Sequence, residues 1–225
     1  KGETPPPPLN LVGDFGGGGM FLALGIVSAL LNIKNGGKGQ VVDAAMVDGA
    51  SVLMSMFYAF KASGFWIDER ESNLLDGAAH FYDTYECADK KFLAVGSIEP
   101  QFYSVLLEKL EISDSKFQDQ HNKKLWPELK SIIRKKIKEK TRDEWADIFD
   151  GSDACVAPVL NLSEAPEHHH MKARNSFVEV DGVIQPAPAP RFSDTAPYIK
   201  HSSVKAGENN DEICIKFDLD RSCFN

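Results

Sequence analysis

The sequence predicts an α/β chain, and three observations lead to that fold class. A glycine run precedes a long apolar helix pattern, two short apolar segments around a polar turn predict a β-hairpin, and an amphipathic helical pattern follows the hairpin. The chain has 225 residues, of which 43% are hydrophobic and 26% charged. This is enough for one large domain or two small ones.

The N-terminal part is predicted to be a loop that leads into a buried helix. Pro5–Pro8 form a stiff extended segment, and Gly16–Gly19 precede the apolar residues Met20–Leu31. The whole apolar stretch, Phe15–Leu31, is shorter than the ~20 residues that a membrane span needs. Its apolar positions surround the helix, so packing on several sides is expected instead of a membrane span.

The middle of the chain is predicted to contain a strand, a helix and a hairpin. Gln40–Ala44 predicts a short buried strand, and Met46–Ala62 predicts a second long helix. Phe81–Cys87 and Phe92–Val95 flank a polar turn and predict two antiparallel strands. These strands would begin a small α+β domain.

The remainder of that domain is predicted to be mainly helical. Phe102–Phe149 is amphipathic at helical spacing, and Thr141–Glu144 has the S/T-x-x-E form of a capping box. Val156–Leu160 predicts one further strand.

Charge and cysteine usage argue against several functional classes. A net charge of −8 argues against a nucleic-acid partner. The consecutive histidines 168–170 lack the spacing of metal ligands, and no nucleotide-binding or zinc-protease motif is present. The cysteines lack CxxC spacing, which predicts reduced thiols in an intracellular protein and no metal site. They are Cys87, Cys155, Cys214 and Cys223.

Two carboxylates lie at positions that are common in active sites, a helix start and a strand end. Asp14 precedes the predicted helix start, where free amides and the helix dipole can hold an anion, and Gly16 and Gly17 would let a ligand approach the backbone. A helix cap at Asp14, with glycines that serve helix packing, explains the same residues. Glu99, followed by Pro100, lies at a strand end, as either an active-site carboxylate or a solvated helix-start residue.

Two further side chains are also open to two interpretations. Met20, together with Met46, Met54 and Met56, fits either an adaptable acyl-binding surface or ordinary core packing. Tyr82 has a core or interface role by default.

Five segments resemble the superfamily of family III CoA-transferases and α-methylacyl-CoA racemases, in the order in which the family has them. The segment around Glu99 resembles the racemase branch in particular. The segments are Asn10–Gly19, Gly37–Asp48, Ala94–Tyr103, Asp153–Val159 and Pro188–Ser193.

The resemblance implies a fold with a Rossmann-like large domain and a small α+β domain, in which two chains form an interlocked dimer. The first half of the large domain, with the CoA-binding strands and a catalytic histidine, would precede Lys1. The implied parts are the end of the large domain (1–45), a linker helix (46–76), the small domain (77–156), a return linker (157–187) and a tail that returns to the large domain (188–225).

The reaction that the resemblance implies is inversion of the α-carbon of a 2-methylacyl-CoA thioester by 1,1-proton transfer through an enolate. Asp14 would be one acid–base group, Glu99 would reach the site from the other subunit, and no cofactor is needed because acyl-CoA is the substrate. We expect catalytic roles for Asp14, Glu99 and Asn10, and substrate-binding roles for Tyr82, Gly16, Gly17 and Met20.

Two alternatives remain at this point. In a CoA transferase, Asp14 would be a nucleophile that forms acyl anhydrides, and a fragment without the catalytic histidine would be a silent dimerisation unit. A peroxisomal or mitochondrial location is expected by analogy alone.

Overall fold

The computed structural model describes residues 2–224, with side-chain surroundings described as far as Ser222. Expectations that involve Lys1, the Cys223 side chain or Asn225 lie outside the described residues. The chain divides into two compact units, Lys1–Val159 and Leu160–Asn225. The five parts that the resemblance implies, with their bounds, stay a prediction.

The first unit contains six α-helices and three strands among its described residues. The helices are α1 (Leu11–Lys34), α2 (Met46–Leu53), α3 (Ser55–Ala62), α4 (Pro100–Lys109), α5 (Trp126–Ile137) and α6 (Arg142–Phe149). The strands are β1 (Tyr82–Glu86), β2 (Phe92–Gly96) and β3 (Val156–Pro158). A short 3₁₀ helix, Ser115–Gln118, lies between α4 and α5.

The three strands form one antiparallel sheet in the order β1-β2-β3, which confirms the predicted hairpin and the last strand. The Thr141 capping box is also confirmed, because its hydroxyl accepts from the Glu144 amide while the Glu144 carboxylate accepts from the Thr141 amide. Apolar side chains of β1, β2 and α4–α6 form the core. Its largest fully buried members include Tyr85, Leu93, Leu106, Leu129, Ile133 and Trp145.

The start and the burial of α1 differ from the prediction. The helix begins at Leu11, and its first ten residues, Leu11–Met20, are π-helical, so the glycine run is helical and not a loop. None of Phe21–Lys34 is buried, so the expected packing on several sides is wrong for this chain. The physical reason is that α2 and Val42 cover only part of the helix circumference.

Over its full length α1 is long and apolar enough to cross a membrane, although core helices of soluble proteins meet the same test.

Two further expectations for this region need correction. Gln40–Ala44 forms no strand, and Val41 is 95% exposed; a strand needs a neighbour that exchanges backbone hydrogen bonds, and no described segment provides one here. The predicted long helix Met46–Ala62 is broken at Met54. The Ser55 hydroxyl donates to the Val52 carbonyl at 2.6 Å, a local bond that favours a bend.

The second unit is smaller and, among its described residues, contains two α-helices and one hairpin. Its elements are α7 (His169–Ala173), β4 (Phe177–Val180), β5 (Val183–Pro186) and α8 (Asn210–Phe217). Strands β4 and β5 pair antiparallel. Two short 3₁₀ helices, Ala165–Glu167 and Arg221–Phe224, complete it.

Candidate functional site

Asp14 lies in the first turn of α1 and its side chain is exposed. The Phe15 amide donates to the Asn10 carbonyl at 3.2 Å, five residues back, so the amides without an intrahelical acceptor belong to Val12, Gly13 and Asp14 itself. Asp14 therefore lies in the same turn as these free amides, at the positive end of the helix dipole, and solvent can reach its carboxylate. The interpretation of Asp14 as a helix cap is wrong, because Asp14 is inside the helix.

Asn10 occupies the cap position instead, and it makes no side-chain capping hydrogen bond. Its observed role is to accept the Phe15 amide through its backbone carbonyl. The catalytic role expected of Asn10 stays a prediction.

The glycines of α1 pack against α2. A methyl group on Gly17 would lie 2.6 Å from the Ala50 nitrogen, and one on Gly49 would collide with the Gly17 carbonyl. A methyl group on Gly16 would lie 3.3 Å from the Leu53 Cδ1 atom. The packing interpretation of Gly16 and Gly17 is thus confirmed, whereas their contact with substrate stays a prediction.

Met20 ends the π-helical part of α1 and is 68% exposed. It is not a core residue of this chain, so the core-packing interpretation is wrong for Met20. An exposed, flexible thioether suits an adaptable apolar contact, and its contact with substrate remains a prediction.

A second group of candidate residues gathers at one end of the three-stranded sheet. Tyr82 begins β1 and stands opposite Gly96, the last residue of β2. The Gly96 amide donates to the Cys155 carbonyl at 2.9 Å, just before β3 begins. An antiparallel meander brings these three residues together because the start of β1, the end of β2 and the start of β3 share one sheet end.

Glu99 is exposed and lies three residues beyond the end of β2, immediately before α4. Its carbonyl accepts the Tyr103 amide at 2.9 Å, and Pro100 occupies the first position of the helix. The expected place at a strand end where the chain turns into a helix is confirmed. Partial burial, and to a smaller degree the negative charges of Glu99 and Asp153, raises the pKa of the Cys155 thiol.

An open groove runs past Tyr82, Gly96 and Cys155. Its facing wall is the segment 75–77, which is fixed at both ends. Asn73 is buried, and its side chain bonds both to the Ile67 backbone and to the Asp76 carboxylate. At the other end, the Lys130 ammonium donates to the Gly77 carbonyl and pairs with the Asp83 carboxylate at 2.6 Å.

His80 is fully buried, with Nε2 at 2.7 Å from the Tyr103 hydroxyl. Burial, and to a smaller degree the charge of His121, lowers the pKa of His80 to about 4, so the imidazole is neutral at pH 7. A fully enclosed, neutral imidazole is a core group and not a substrate-facing base.

The two groups of candidates lie on different elements of this chain, with Asp14 in α1 and Tyr82 and Glu99 near one end of the three-stranded sheet. In the described part of the chain, no hydrogen bond or ion pair joins Asp14 to Tyr82 or to Glu99. Three of the four cysteines, Cys87, Cys155 and Cys214, are free thiols, as predicted. Among residues 2–224, no group of three or more His, Cys, Asp or Glu side chains could hold a metal ion.

Sequence reasoning missed the residues that hold the groove and the turn before Glu99, namely Asn73, Gln120 and Lys130. Asn73 has a local signal, because Asn73 and Asp76 stand at the spacing of a side-chain-stabilised turn. Lys130 donates a hydrogen bond to a residue 53 positions away in the sequence, and Gln120 donates to residues 22 and 23 positions away. No local sequence pattern predicts contacts over such separations.

Solved structures share this fold. A CaiB/BaiF family protein from Brucella suis superposes with a TM-score of 0.72 at 21% identity, and covers 96% of this chain and 57% of its own. The protein Rv3272 from Mycobacterium tuberculosis gives a TM-score of 0.70 at 19% identity, over 94% of this chain and 56% of its own. The likeness confirms the predicted α/β fold class.

Curated relatives are similar at higher identity. The protein named alpha-methylacyl-CoA racemase is 47% identical in Mus musculus, over 87% of this chain and 51% of that protein. Its Homo sapiens counterpart is 43% identical, over 98% of this chain and 58% of that protein. The acetyl-CoA:oxalate CoA-transferase of Acetobacter aceti is 27% identical, over 75% of this chain and 44% of that protein.

The chain thus spans about half the length of the curated relatives that it matches. The family model described as CoA-transferase family III matches residues 1–210, which include both groups of candidate residues. On this match, together with the relatives' identity, the chain belongs to CoA-transferase family III.

Proposed function

We propose that this chain is part of an enzyme that racemises 2-methylacyl-CoA thioesters by 1,1-proton transfer. The observation that carries the proposal is the exposed Asp14 carboxylate in the first turn of α1, beside amides that have no intrahelical acceptor. Similarity at 43–47% identity to proteins named alpha-methylacyl-CoA racemase supports this reaction over others of the family.

The chemistry follows from that position. A base that removes the α-proton leaves negative charge on the thioester oxygen, and the free amides of Val12, Gly13 and Asp14 can donate to that oxygen. The Asp14 carboxylate then gives or takes the proton on one face of the α-carbon. By the family resemblance, a histidine serves the opposite face.

We also propose that Glu99 and Tyr82 complete the site from a second copy of the chain in an interlocked homodimer. The family resemblance supports this arrangement, because it implies that Glu99 reaches the site from the other subunit. A peroxisomal or mitochondrial location and a reaction without cofactor remain predictions from the resemblance.

The racemase reaction is tested against the transferase reaction, since relatives named CoA-transferases match at 22–27% identity and a CaiB/baiF CoA-transferase family protein matches at 36%. The chain, extended N-terminally to the length of its relatives, is incubated with (R)-2-methylacyl-CoA, with and without a free carboxylate acceptor. We expect the substrate to lose its optical activity without an acceptor. Hydroxylamine should trap no covalent intermediate. CoA transfer to the acceptor, with an anhydride at Asp14 trapped by hydroxylamine, would instead identify a transferase.

A further inference from the structure

One buried side chain holds the turn that leads to Glu99. Gln120 is 7% exposed and lies between the Ser115–Gln118 helix and α5. Its Nε2 atom donates to the Ser97 carbonyl at 3.1 Å and to the Ile98 carbonyl at 3.0 Å. These are the two residues between the end of β2 and Glu99, so a single amide group satisfies both carbonyls of this turn.

Other bonds fix both the turn and Gln120 itself. The Ser97 amide donates to the Phe81 carbonyl at 2.9 Å, and its hydroxyl donates to the Ala154 carbonyl. The Trp126 indole donates to the Gln120 carbonyl at 2.9 Å. Buried networks of this kind are rigid when every member is paired.

The carboxylate of Glu99 has no comparable restraint of its own. It is exposed and makes no capping hydrogen bond to α4. Its direction is therefore set by the backbone on either side. The Tyr103 amide fixes the side toward α4, and the Gln120 amide fixes the side toward β2.

We propose that Gln120 is a positioning residue that aims Glu99, an inference that rests on the catalytic role of Glu99 in the proposed function. Without the Nε2 donor, two carbonyls inside the domain lose their partner, and the turn must shift to expose them to water. The shift moves Glu99, while the core beneath the sheet keeps its packing.

The first test is independent of activity and uses Cys155 as a probe. With Cys214→Ser and Cys223→Ser in the background and Cys87 buried, the rate of thiol alkylation against pH reports the pKa of Cys155. We expect Glu99→Gln to lower that pKa by removing a negative charge, and Gln120→Met to lower it as well. Gln118→Met is the matched control, because Gln118 is exposed in the neighbouring turn and leaves the value unchanged.

If Gln120→Met leaves the Cys155 pKa at the wild-type value, or if Glu99→Gln does not change it, the inference is wrong. Should Gln120→Met fail to fold, Gln120→Asn keeps an amide that is one methylene too short to reach both carbonyls. It is expected to shift the pKa in the same direction, by less.

The second test measures proton exchange in the N-terminally extended chain. We expect Gln120→Met to lower kcat by about 10- to 100-fold, as a misplaced catalytic group does, with KM within about two-fold. Gln118→Met should leave both constants unchanged. An active wild type that loses activity with Glu99→Gln but not with Gln120→Met would overturn the inference alone. An inactive wild type would overturn the proposed function, and the Cys155 experiment would still decide whether Gln120 positions Glu99.

Discussion

The imidazole of His80 shows how a single residue can link the stability of the small core to pH. It is enclosed by the rings of Phe81, Tyr103 and Phe117, and its Nδ1 atom is the one buried side-chain nitrogen or oxygen without a partner among the described residues. Burial keeps it neutral, with a pKa of about 4 against 6.5 in the unfolded chain.

The unfolded chain therefore binds a proton at a pH at which folded His80 does not. We predict that stability from this residue is complete above pH 6.5 and is lost as the pH falls toward 4, by about 3 kcal/mol in all. Denaturant unfolding, followed by tryptophan fluorescence between pH 4 and 7, measures it. His80→Leu should flatten the profile, whereas the exposed His201→Gln should not; an unchanged slope in His80→Leu would contradict the assignment.

Lys130 forms an ion pair that is largely shielded from solvent. The Lys130 and Asp83 side chains are 15% and 22% exposed, so removal of one partner leaves the other as a poorly solvated charge. We predict that Lys130→Met lowers the free energy of unfolding by about 1–3 kcal/mol. This cost lies between that of breaking a surface ion pair and that of breaking a buried one.

The matched control for this prediction is Lys136→Met on the same helix. The partners of Lys136, Glu111 and Glu139, are 82% and 54% exposed. The cost of Lys136→Met should stay below about 1 kcal/mol. Equal losses in the two variants, measured by chemical denaturation, would show that Lys130 does not anchor the wall of the groove.

The contact between α1 and α2 is the element-scale feature that places Asp14. Gly17 and Gly49 let the two backbones approach closely, and no other residue type fits there without a shift. We predict that Gly17→Ala lowers stability by about 1–3 kcal/mol through overpacking.

Gly13→Ala is the control for this contact, because a methyl group on Gly13 would meet no heavy atom within 4 Å. The better helix propensity of alanine should instead add up to about 1 kcal/mol. Thermal unfolding followed by circular dichroism compares the two variants. A Gly17→Ala chain as stable as Gly13→Ala would contradict the close approach of α1 and α2.

Elements whose cause is local were predictable, and those that depend on distant residues were not. The hairpin of β1 and β2 and the Thr141 capping box follow from a few neighbouring residues. Gln40–Ala44 has the composition of a strand, but a strand also depends on a partner that the sequence of the segment cannot reveal. Glu99 could be placed at a strand end from sequence, while its Gln120 support spans over 20 residues and could not.

At the scale of the whole molecule, the exposed apolar side of α1 is the dominant feature. Leu24, Val27 and Leu30 are each at least 60% exposed, and large contiguous apolar patches of this kind mark surfaces that become covered. We predict that the 225-residue chain alone self-associates, as measured by light scattering over a concentration series. A clean monomer at all concentrations would count against the interlocked dimer.

The most direct test of the role of Asp14 is α-proton exchange of a 2-methylacyl-CoA in deuterated water, with the chain extended N-terminally to the length of its relatives. We predict deuterium incorporation that Asp14→Ala lowers by at least about 10³-fold, the scale of a lost acid–base group with its positioning. Asp211→Asn, which changes an exposed first-turn aspartate of α8, should leave it unchanged. A folded Asp14→Ala protein that exchanges at the wild-type rate would contradict the central role of Asp14.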